Sequence, residues 1–237
     1  MLLDLNRYDA ADQAISVAIN TLIDASVAAE ETRGYLGASA VGHPCLRRIQ
    51  FDWMVDPQHL ARTRDIFDRG HYHEARTREH LIRAGFVFAP PERLAFTALG
   101  GFLSGHGDGI FLSGPRIDGL VYPSLWEHKA INQKAWQGLN RDGLKKSYPQ
   151  YAAQVALYQH FLGVDEAPAI FTAVNANTCE RLHLLVPFDA EEAQRVIARA
   201  EAVITATRAG ELLPRFTTDP NHWRCRLCGH RERCWRL

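Results

Sequence analysis

The sequence predicts an α/β fold in which helices cover a sheet. Segments with helical spacing of apolar residues alternate with strand-like segments, in the order helix, sheet, helix, sheet, helix. The chain has 237 residues, enough for one large core without disulfide bonds. Its composition, 46% hydrophobic and 23% charged, is typical of a globular protein and excludes a disordered or fibrous one.

The first half of the chain is predicted to begin with helices and to continue as short strands. The helix near residues 9–31 is amphipathic, with Ile15, Ile19, Leu22 and Ile23 on one side. The elements that follow are a glycine-rich turn at 34–42, a short helix at 44–54, a longer helix at roughly 64–84, and a meander of short strands at 86–131.

The second half returns to helices and then adds two strands. The predicted elements are helices at about 132–142 and 148–162, strands at 169–175 and 181–187, and a helix to about 208. The last segment, 212–237, is rich in arginine and cysteine and too short for a core of its own. We therefore expect an N-terminal helical extension over 1–34 and a single domain over 35–237, with 212–237 packing back on the Cys45 region.

Charge and hydropathy restrict the partners and the compartment. Lys and Arg number 27, and Asp and Glu also number 27, so a uniformly basic nucleic-acid-coating protein is excluded. Any anionic partner must be bound by a local basic patch. The N-terminus lacks the order of a signal peptide, and polar residues interrupt the apolar segment 14–29. We expect a cytoplasmic protein with no membrane partner.

A group of cysteines near the C-terminus indicates a metal site. Cys225, Cys228 and Cys234 lie within ten residues, and the first two have the spacing that places both sulfurs on one ion or cluster. Such a site needs a fourth ligand. The sequence therefore predicts either a zinc site or an iron–sulfur cluster, and the distance along the chain to the fourth cysteine favours the cluster.

Cys45 is the preferred fourth ligand. It precedes a predicted helix, where exposed N–H groups favour a thiolate. A metal bound there would tie the two ends of the chain together. His222 or His230 is the alternative ligand in a zinc-ribbon arrangement, and Cys179, in a turn between strands, is interpreted as a small core residue.

Spaced acidic residues and a lysine form the candidate catalytic set. Asp108 follows a glycine-rich stretch, and Glu127 and Lys129 alternate on a predicted strand, so they project from the same face. Two neighbouring carboxylates favour a magnesium ion between them, and an adjacent lysine suits the orientation of a water molecule. A solvated strand face is the ordinary alternative for such a pattern. Asp118 is the alternative to Asp108 as the metal-binding acid.

Three further polar residues fall on predicted helices. His73, on the helix at 64–84, offers an imidazole as an additional metal ligand, and a surface histidine is its ordinary alternative. Gln154 and Tyr158 are four residues apart and share a helical face, from which both could reach a phosphate or a base.

In this order the motifs resemble the RecB-like branch of the PD-(D/E)XK nucleases. The matching residues are Gly70 to His73 for Gly-x-x-His, Gly105 to Asp108 for Gly-x-x-Asp, Glu127-His128-Lys129 for Glu/Asp-x-Lys, and Gln154 to Tyr158 for Gln-x-x-x-Tyr. One cysteine before this core and three after it resemble the iron–sulfur exonucleases of the CRISPR-adaptation and AddB nuclease-domain type. The segment 136–154 is similar to phage-encoded members.

The resemblance implies a restriction-endonuclease-like core, a central mixed sheet flanked by helices, with an N-terminal helix and a Cys-rich C-terminal clip. It implies that Mg²⁺ or Mn²⁺ is held by His73, Asp108, Glu127 and the backbone carbonyl of His128. It further implies that Lys129 positions the attacking water. Gln154 and Tyr158 would support the DNA backbone, and a 4Fe–4S cluster, with Zn²⁺ as the alternative, would bind Cys45, Cys225, Cys228 and Cys234.

The expected function is that of an exonuclease that hydrolyses DNA ends, preferring single strands. Arg47 and Arg48 beside Cys45, together with Lys145 and Lys146, are candidate DNA contacts. Recombination, replication or CRISPR-adaptation proteins are possible partners. Two alternatives remain open: a catalytically weak DNA-binding partner in CRISPR adaptation or recombination, and a zinc-containing duplex endonuclease.

Overall fold

The structure, a computed structural model, describes residues 10–27, 33–55 and 60–236. The described helices are α1 (Ala10–Ser26), α2 (Leu46–Met54), α3 (Ala61–Arg83), α4 (Gln133–Asp142), α5 (Leu144–Ser147), α6 (Pro149–Leu162), α7 (Ala190–Arg208), α8 (Trp223–Arg226) and α9 (Arg231–Arg236). The described strands are β1 (Leu36–Gly37), β2 (Val87–Phe88), β3 (Ala95–Ala98), β4 (Leu103–His106), β5 (Gly109–Ser113), β6 (Ser124–Ile131), β7 (Ala169–Asn175) and β8 (Arg181–Val186). None of these helices is long and apolar enough to cross a membrane.

Five strands form the central sheet in the order β2-β5-β6-β7-β8. β6 and β7 run parallel, with Glu127 beside Phe171, and the other neighbours run antiparallel. Every residue of β7 is buried, as expected for a strand with both faces covered. The sheet is therefore mixed.

Helices α6 and α7 cover one face of this sheet, which we call the inner face. Leu125 of β6 and Phe171 of β7 pack there against Leu157 of α6 and Val203 of α7 in the main hydrophobic core. The middle of α6 is buried on all sides, so it has no polar stripe. Polar residues of α6 must consequently find partners inside the protein.

Helix α3 lies against the opposite face, which we call the outer face. Trp126, Phe111 and Ile170 form a smaller apolar cluster there, and Leu81 from the end of α3 packs on it. Successive residues of a strand point to opposite faces, so Glu127 and Lys129 point to the inner face and His128 to the outer one.

The predicted α/β layers are confirmed, with one difference in the strands. The segment 86–131 does not form one meander, because β3 and β4 join β1 in a separate three-stranded sheet. β1 pairs parallel with β4 and is two residues long, too short to show any periodicity in the sequence. Residues 28–31 of the predicted first helix lie outside the described residues, as do 1–9 of the predicted extension.

Candidate active site

The candidate active site lies where strand β6 extends beyond its neighbour β5. Their antiparallel pairing ends at Gly109 and Trp126, whereas β6 continues to Ile131. The backbone N–H of His128 instead donates a hydrogen bond to Oδ2 of Asp108, at 2.7 Å. Asp108 is thereby fixed at the opening between the two strands.

Glu127 and Lys129 meet beside Asp108. The ammonium group of Lys129 donates to Oε1 of Glu127, and its Nζ lies 3.7 Å from Oδ2 of Asp108. Glu127 is fully buried, and its second oxygen, Oε2, has no hydrogen-bond partner among the described residues. The structure therefore brings the acid–acid–lysine set of the sequence together around one point.

Gln154 and Tyr158 lie next to this set on the buried helix α6. Nε2 of Gln154 donates to Oε1 of Glu127, at 2.7 Å. Gln154 is 5% exposed and Tyr158 is 3% exposed, so neither side chain is at the surface. The geometry gives Gln154 a contact with the carboxylate, and the support of a DNA backbone by Gln154 and Tyr158 stays a prediction.

Glu74 is a carboxylate of this site that the sequence analysis missed. It lies on α3, and burial followed by the negative charge of Asp108 raises the pKa of Glu74 to about 7. Arg78, one helical turn further on, donates to the backbone carbonyl of Asp108 at 3.0 Å. In the sequence, Glu74 could have been noticed only by its spacing of four residues from Arg78. Many other charged residues on α3 have similar spacings, so this one does not stand out.

His73, the predicted metal ligand on α3, directly precedes Glu74 in the chain. Burial, Arg69 and Arg181 lower the pKa of His73, with no carboxylate among these causes. The positive charge of a protonated His73 is one of the causes that lower the pKa of His128, whose side chain points to the outer face. Of the two neighbours on α3, Glu74 interacts electrostatically with Asp108, and metal binding by His73 stays a prediction.

Burial and mutual repulsion control the charges of the site. Burial raises the pKa of Glu127, and the negative charge of Asp108 raises it further. Burial alone would lower the pKa of Lys129, but the attraction of Glu127 and Asp108 outweighs it and raises that pKa. Lys129 therefore stays protonated and supplies a positive charge between two carboxylates.

The donor set fits a hard divalent cation. The carboxylates of Glu74, Asp108 and Glu127 interact electrostatically, and Oε2 of Glu127 has no hydrogen-bond partner among the described residues. Mg²⁺ and Mn²⁺ prefer such oxygen ligands. In the described part of the chain no three His, Cys, Asp or Glu side chains group closely enough to hold a metal ion as they stand. The ammonium group of Lys129 lies between Asp108 and Glu127, and a bound cation would share these two carboxylates with it.

Asp118, the alternative acid, lies elsewhere. It lines an apolar cavity of about 400 Å³ on the outer face, together with Phe111, Trp126 and His183. That cavity is bounded mainly by aromatic and aliphatic side chains. Asp108, not Asp118, is therefore the acid that the structure places beside Glu127 and Lys129.

The predicted basic contacts lie in two places. Lys145 pairs with Asp189 at 2.8 Å, and Lys146 pairs with Asp142 at 3.0 Å. The lysine side chains are 80% and 76% exposed, so these ion pairs are weak and open to exchange.

Arg47 and Arg48 belong to the region of the cysteines. Nε of Arg47 donates to the carbonyl of Leu213 at 2.5 Å, which ties α2 to the C-terminal segment. Arg48 lies 3.4 Å from Asp52 on the same helix. Arg47 therefore has a structural contact, and its predicted contact with DNA would be an additional role.

Four cysteines line one small cavity between α2 and the C-terminal segment. They are Cys45, Cys225, Cys228 and Cys234. Burial, and then the charges of the other three cysteines, raise the pKa of Cys225. Four arginines line the same cavity: Arg48, Arg215, Arg224 and Arg231. The structure therefore brings the four predicted cysteines to one cavity, and a metal or cluster bound there stays a prediction.

Further contacts hold the C-terminal segment on α2. The side chain of Gln50 is fully buried, donates to the carbonyl of Glu211 at 2.8 Å and accepts from the N–H of Leu213 at 2.7 Å. His230 hydrogen-bonds to Asp52 at 2.7 Å. The segment therefore packs back on α2 through the protein itself, and a metal cluster at this junction stays a prediction.

Cys179 is separate from this cavity. It is exposed in the turn between β7 and β8, with a φ of 63°. The interpretation of Cys179 as a core residue is wrong, because its side chain lies at the surface. A positive φ is uncommon for a residue with a Cβ.

Comparison with solved structures shows what this fold is similar to. The crystal structure of an alkaline exonuclease, LHK-Exo, from Laribacter hongkongensis aligns with a TM-score of 0.51 and 15% identity, over 75% of this chain and 89% of its own. Its complex with dAMP gives 0.52 and 13% identity over the same shares. The crystal structure of SSO0001 gives 0.44 and 12% identity, over 91% of this chain and 93% of its own.

No protein-family model matches the chain, and neither does any curated protein. The likeness to the exonuclease, at such low identity, establishes a shared fold only. The predicted core, a mixed sheet flanked by helices, is therefore confirmed. The iron–sulfur branch and the Cys-rich metal clip stay predictions.

Proposed function

We propose that this protein is a metal-dependent DNA nuclease of the PD-(D/E)XK type that hydrolyses phosphodiester bonds at the ends of single strands. The observation that carries the proposal is the convergence of Asp108, Glu127 and Lys129 at the open edge of β6. The fold shared with an alkaline exonuclease, which was also crystallised with dAMP, supports the same reaction class.

Mg²⁺ or Mn²⁺ would be held by Asp108, Glu127 and the backbone carbonyl of His128, with Glu74 as the ligand from α3. When bound, such an ion supplies a water of lowered pKa and offsets the charge that develops on the phosphate. Oε2 of Glu127 is the unpartnered oxygen available for this purpose.

Lys129 would orient the attacking water and stabilise negative charge on the phosphate. Its neighbours keep it protonated, so it acts as a donor and not as a base. Gln154 would hold one oxygen of Glu127 and leave the other for the metal.

A cleavage assay tests the proposed reaction. An end-labelled single strand and the blunt duplex of the same sequence are incubated with Mg²⁺ or Mn²⁺, and with EDTA as the control. We expect stepwise shortening of the single strand, slower loss of the duplex, and no reaction in EDTA. Internal cuts in both substrates, or equal rates on both, would contradict the exonuclease and single-strand parts of the proposal.

We propose in addition that the four-cysteine cavity binds a 4Fe–4S cluster, with zinc as the alternative. The cluster would tie the C-terminal segment to α2, and the arginines around it would offset its negative charge. Protein purified without oxygen should contain iron and sulfide and absorb at roughly 400 nm. Cys228→Ser should lose the iron, whereas Cys179→Ser, at the exposed cysteine, should keep it. Zinc without iron in the wild type would show the alternative to be right.

A further inference from the structure

Strand β8 forms an open edge of the central sheet. It is the last strand in the order, and among the residues that the structure describes no strand pairs with its other side. Its pairing with β7 is regular from Arg181 to Val186, without a register shift. Every second residue of an edge strand directs its N–H and C=O away from the sheet, so β8 presents main-chain donors and acceptors to solvent.

Most of this strand lacks the usual protections of a sheet edge. Lysine, proline, a bulge or an inward-pointing charge normally prevents an edge from pairing with another chain. Arg181 begins the strand, and its Nε lies 3.4 Å from Oγ1 of Thr77 on α3. The residues 182–186 include no Lys, Arg, Asp or Glu, and Pro187 follows the strand. Leu185 is 48% exposed, so this part of the edge is suited to accept one more strand.

A cavity lies beside β8 on each face of the sheet. On the inner face, Leu184 and Val186 line a cavity of about 770 Å³ together with Ala152 and Ala156 of α6. On the outer face, Leu185 lines the apolar cavity of about 400 Å³ that contains Asp118. Successive side chains of a strand point to opposite faces, so a strand added at β8 would direct its side chains alternately into the two cavities. Peptides that add to a sheet edge gain affinity from main-chain hydrogen bonds and specificity from such pockets.

The connection between β5 and β6 extends the apolar surface on the outer face. Ile117 of this connection is 50% exposed and lines the same cavity as Leu185. A Cβ at Gly119 would lie 3.1 Å from Cδ1 of Leu185, so the connection passes close to β8. Two exposed apolar side chains therefore border one cavity at the open edge.

The acids beside β8 indicate the charge of a ligand. No lysine or arginine lines the outer cavity, and its carboxylate, Asp118, forms no ion pair with a described residue. At the inner cavity each lining cation pairs with an acid: Lys145 with Asp189 at 2.8 Å, and Arg195 with Glu192 at 2.6 Å. Glu191 lines this cavity too, is exposed, and forms no ion pair with a described residue. Each cavity therefore has one carboxylate that a basic side chain of a ligand can neutralise.

We propose that β8 binds an extended segment of a partner protein, which adds to the central sheet as a further strand. The central side chains of this segment are apolar and enter the two cavities in turn, and basic side chains lie opposite Asp118 and Glu191. The stems of lysine and arginine are apolar, so they suit an apolar surface that is bordered by carboxylates. The inference goes beyond the proposed function and does not rest on it, because the candidate active site lies on β6, two strands away.

A designed peptide serves as the probe of this edge. It has four central valines with two lysines on each side and a fluorescent label, and fluorescence anisotropy in EDTA measures its binding. A second peptide has the same side chains but carries N-methyl groups on the valine nitrogens, which removes the main-chain donors of that segment. We expect saturable binding of the first peptide and an affinity lower by about tenfold or more for the second. No binding of the first peptide, or equal binding of both, would overturn the proposal.

Removal of the two acids tests the charge of the site. Asp118→Asn/Glu191→Gln should bind the lysine peptide about tenfold more weakly than the wild type, because two attractions across the interface are lost. The control Glu201→Gln/Glu232→Gln removes two exposed acids that line neither cavity, and it should bind within about twofold of the wild type. Thermal melting checks that the variants are folded, and Leu185→Lys, at an exposed position, replaces the double variant if its melting differs. A site variant and a control with the same affinity would overturn the proposal.

Hydrogen exchange and sedimentation identify what covers the edge. The lysine peptide should slow amide exchange in residues 182–186, and slower exchange elsewhere without an effect on β8 would overturn the proposal. A second copy of this chain is the competing occupant. We expect the wild type and Leu185→Lys to sediment alike without peptide, whereas a dimer that Leu185→Lys dissociates would place a second copy on β8 and overturn the proposal. All of these measurements are made in EDTA, so their outcome does not depend on whether the protein cleaves DNA.

Discussion

The amide of Gln154 holds one oxygen of Glu127 at 2.7 Å, inside a helix that has no exposed side at this point. A buried glutamine of this kind acts through the carboxylate it orients and does not touch the substrate. Removal of the Gln154 amide leaves the buried carboxylate of Glu127 with Lys129 as its remaining hydrogen-bond donor among the described side chains. We therefore expect removal of this amide to lower the reaction rate more than the stability of the fold.

Gln154→Ala should therefore lower kcat by about tenfold to a hundredfold, the usual cost of losing a residue that orients a metal ligand, with little change in KM. The matched control is Gln159→Ala. Gln159 is also fully buried on α6 but donates to the carbonyl of Ala167 at 2.9 Å. The control should lower the free energy of unfolding by about 1–3 kcal/mol and leave kcat of the folded protein unchanged. Equal kcat values for the two variants would contradict the positioning role.

Glu74 gives the stability of the metal-free protein a pH dependence. Its pKa in the folded protein is about 7, above its ordinary value of 4.5, so the folded state keeps a proton that the unfolded state releases. The contribution of Glu74 to stability is therefore present at low pH and is lost as the pH rises toward 7. In EDTA, Tm should fall by a few degrees over this interval.

Glu74→Gln should flatten this fall, and Mg²⁺ should reduce it in the wild type because a cation stabilises the charged carboxylates. Melting curves between about pH 5 and 8 measure both effects. Glu232→Gln, at an exposed ion pair with Arg236, is the control and should follow the wild type. A Glu74→Gln profile identical to that of the wild type would contradict the assignment.

At the residue scale the sequence reveals the acids on strands and misses the acid on a helix. Glu127 and Lys129 alternate on a strand, which fixes their common face without knowledge of the fold. Glu74 stands on a helix with charged residues on several faces, and only the packing of α3 on the sheet selects it. Gln154 falls on the predicted shared face with Tyr158, but the sequence does not show that this face is buried.

At the scale of elements, a buried glutamine is one of the contacts that join α2 to the C-terminal segment. Gln50 satisfies the carbonyl of Glu211 and the N–H of Leu213, two groups of a connection that has no regular structure. This contact holds the segment that carries three of the four cysteines. It operates whether or not a metal is bound.

Gln50→Ala should lower the free energy of unfolding by about 1–3 kcal/mol, because two backbone groups lose their buried partner. It should also speed proteolysis after residue 211, since the segment would detach before the core unfolds. Arg236→Gln, which breaks an exposed ion pair in the same segment, should change neither quantity measurably. Equal proteolysis of the two variants would contradict this role of Gln50.

The elements themselves follow the sequence where they are long. β7 and β8 begin at the predicted residues, and α7 ends where predicted, because apolar periodicity is clear over six residues or more. The two-residue β1 could not be found in this way. Cys45, preferred as fourth ligand because it stands at a helix start, lines one cavity with the C-terminal cysteines, although some 180 residues separate them in the chain.

At the scale of the whole molecule, a net charge of zero conceals local fields of both signs. Carboxylates lie beside Lys129, and arginines line the cysteine cavity. Substrate steering depends on such local fields more than on the total charge. A net charge of zero is therefore compatible with the proposed binding of DNA at a local site.

The central claim is that Asp108, with Glu127 and Lys129, forms the centre that hydrolyses DNA. The most direct measurement compares Asp108→Asn with Asp118→Asn on one end-labelled single strand with Mg²⁺ or Mn²⁺, after melting curves show both variants folded. The account predicts a loss of about a thousandfold or more for Asp108→Asn, as expected when a catalytic metal ligand is removed, and a rate within about twofold of the wild type for Asp118→Asn. Full activity of Asp108→Asn, or loss of activity in Asp118→Asn alone, would contradict it.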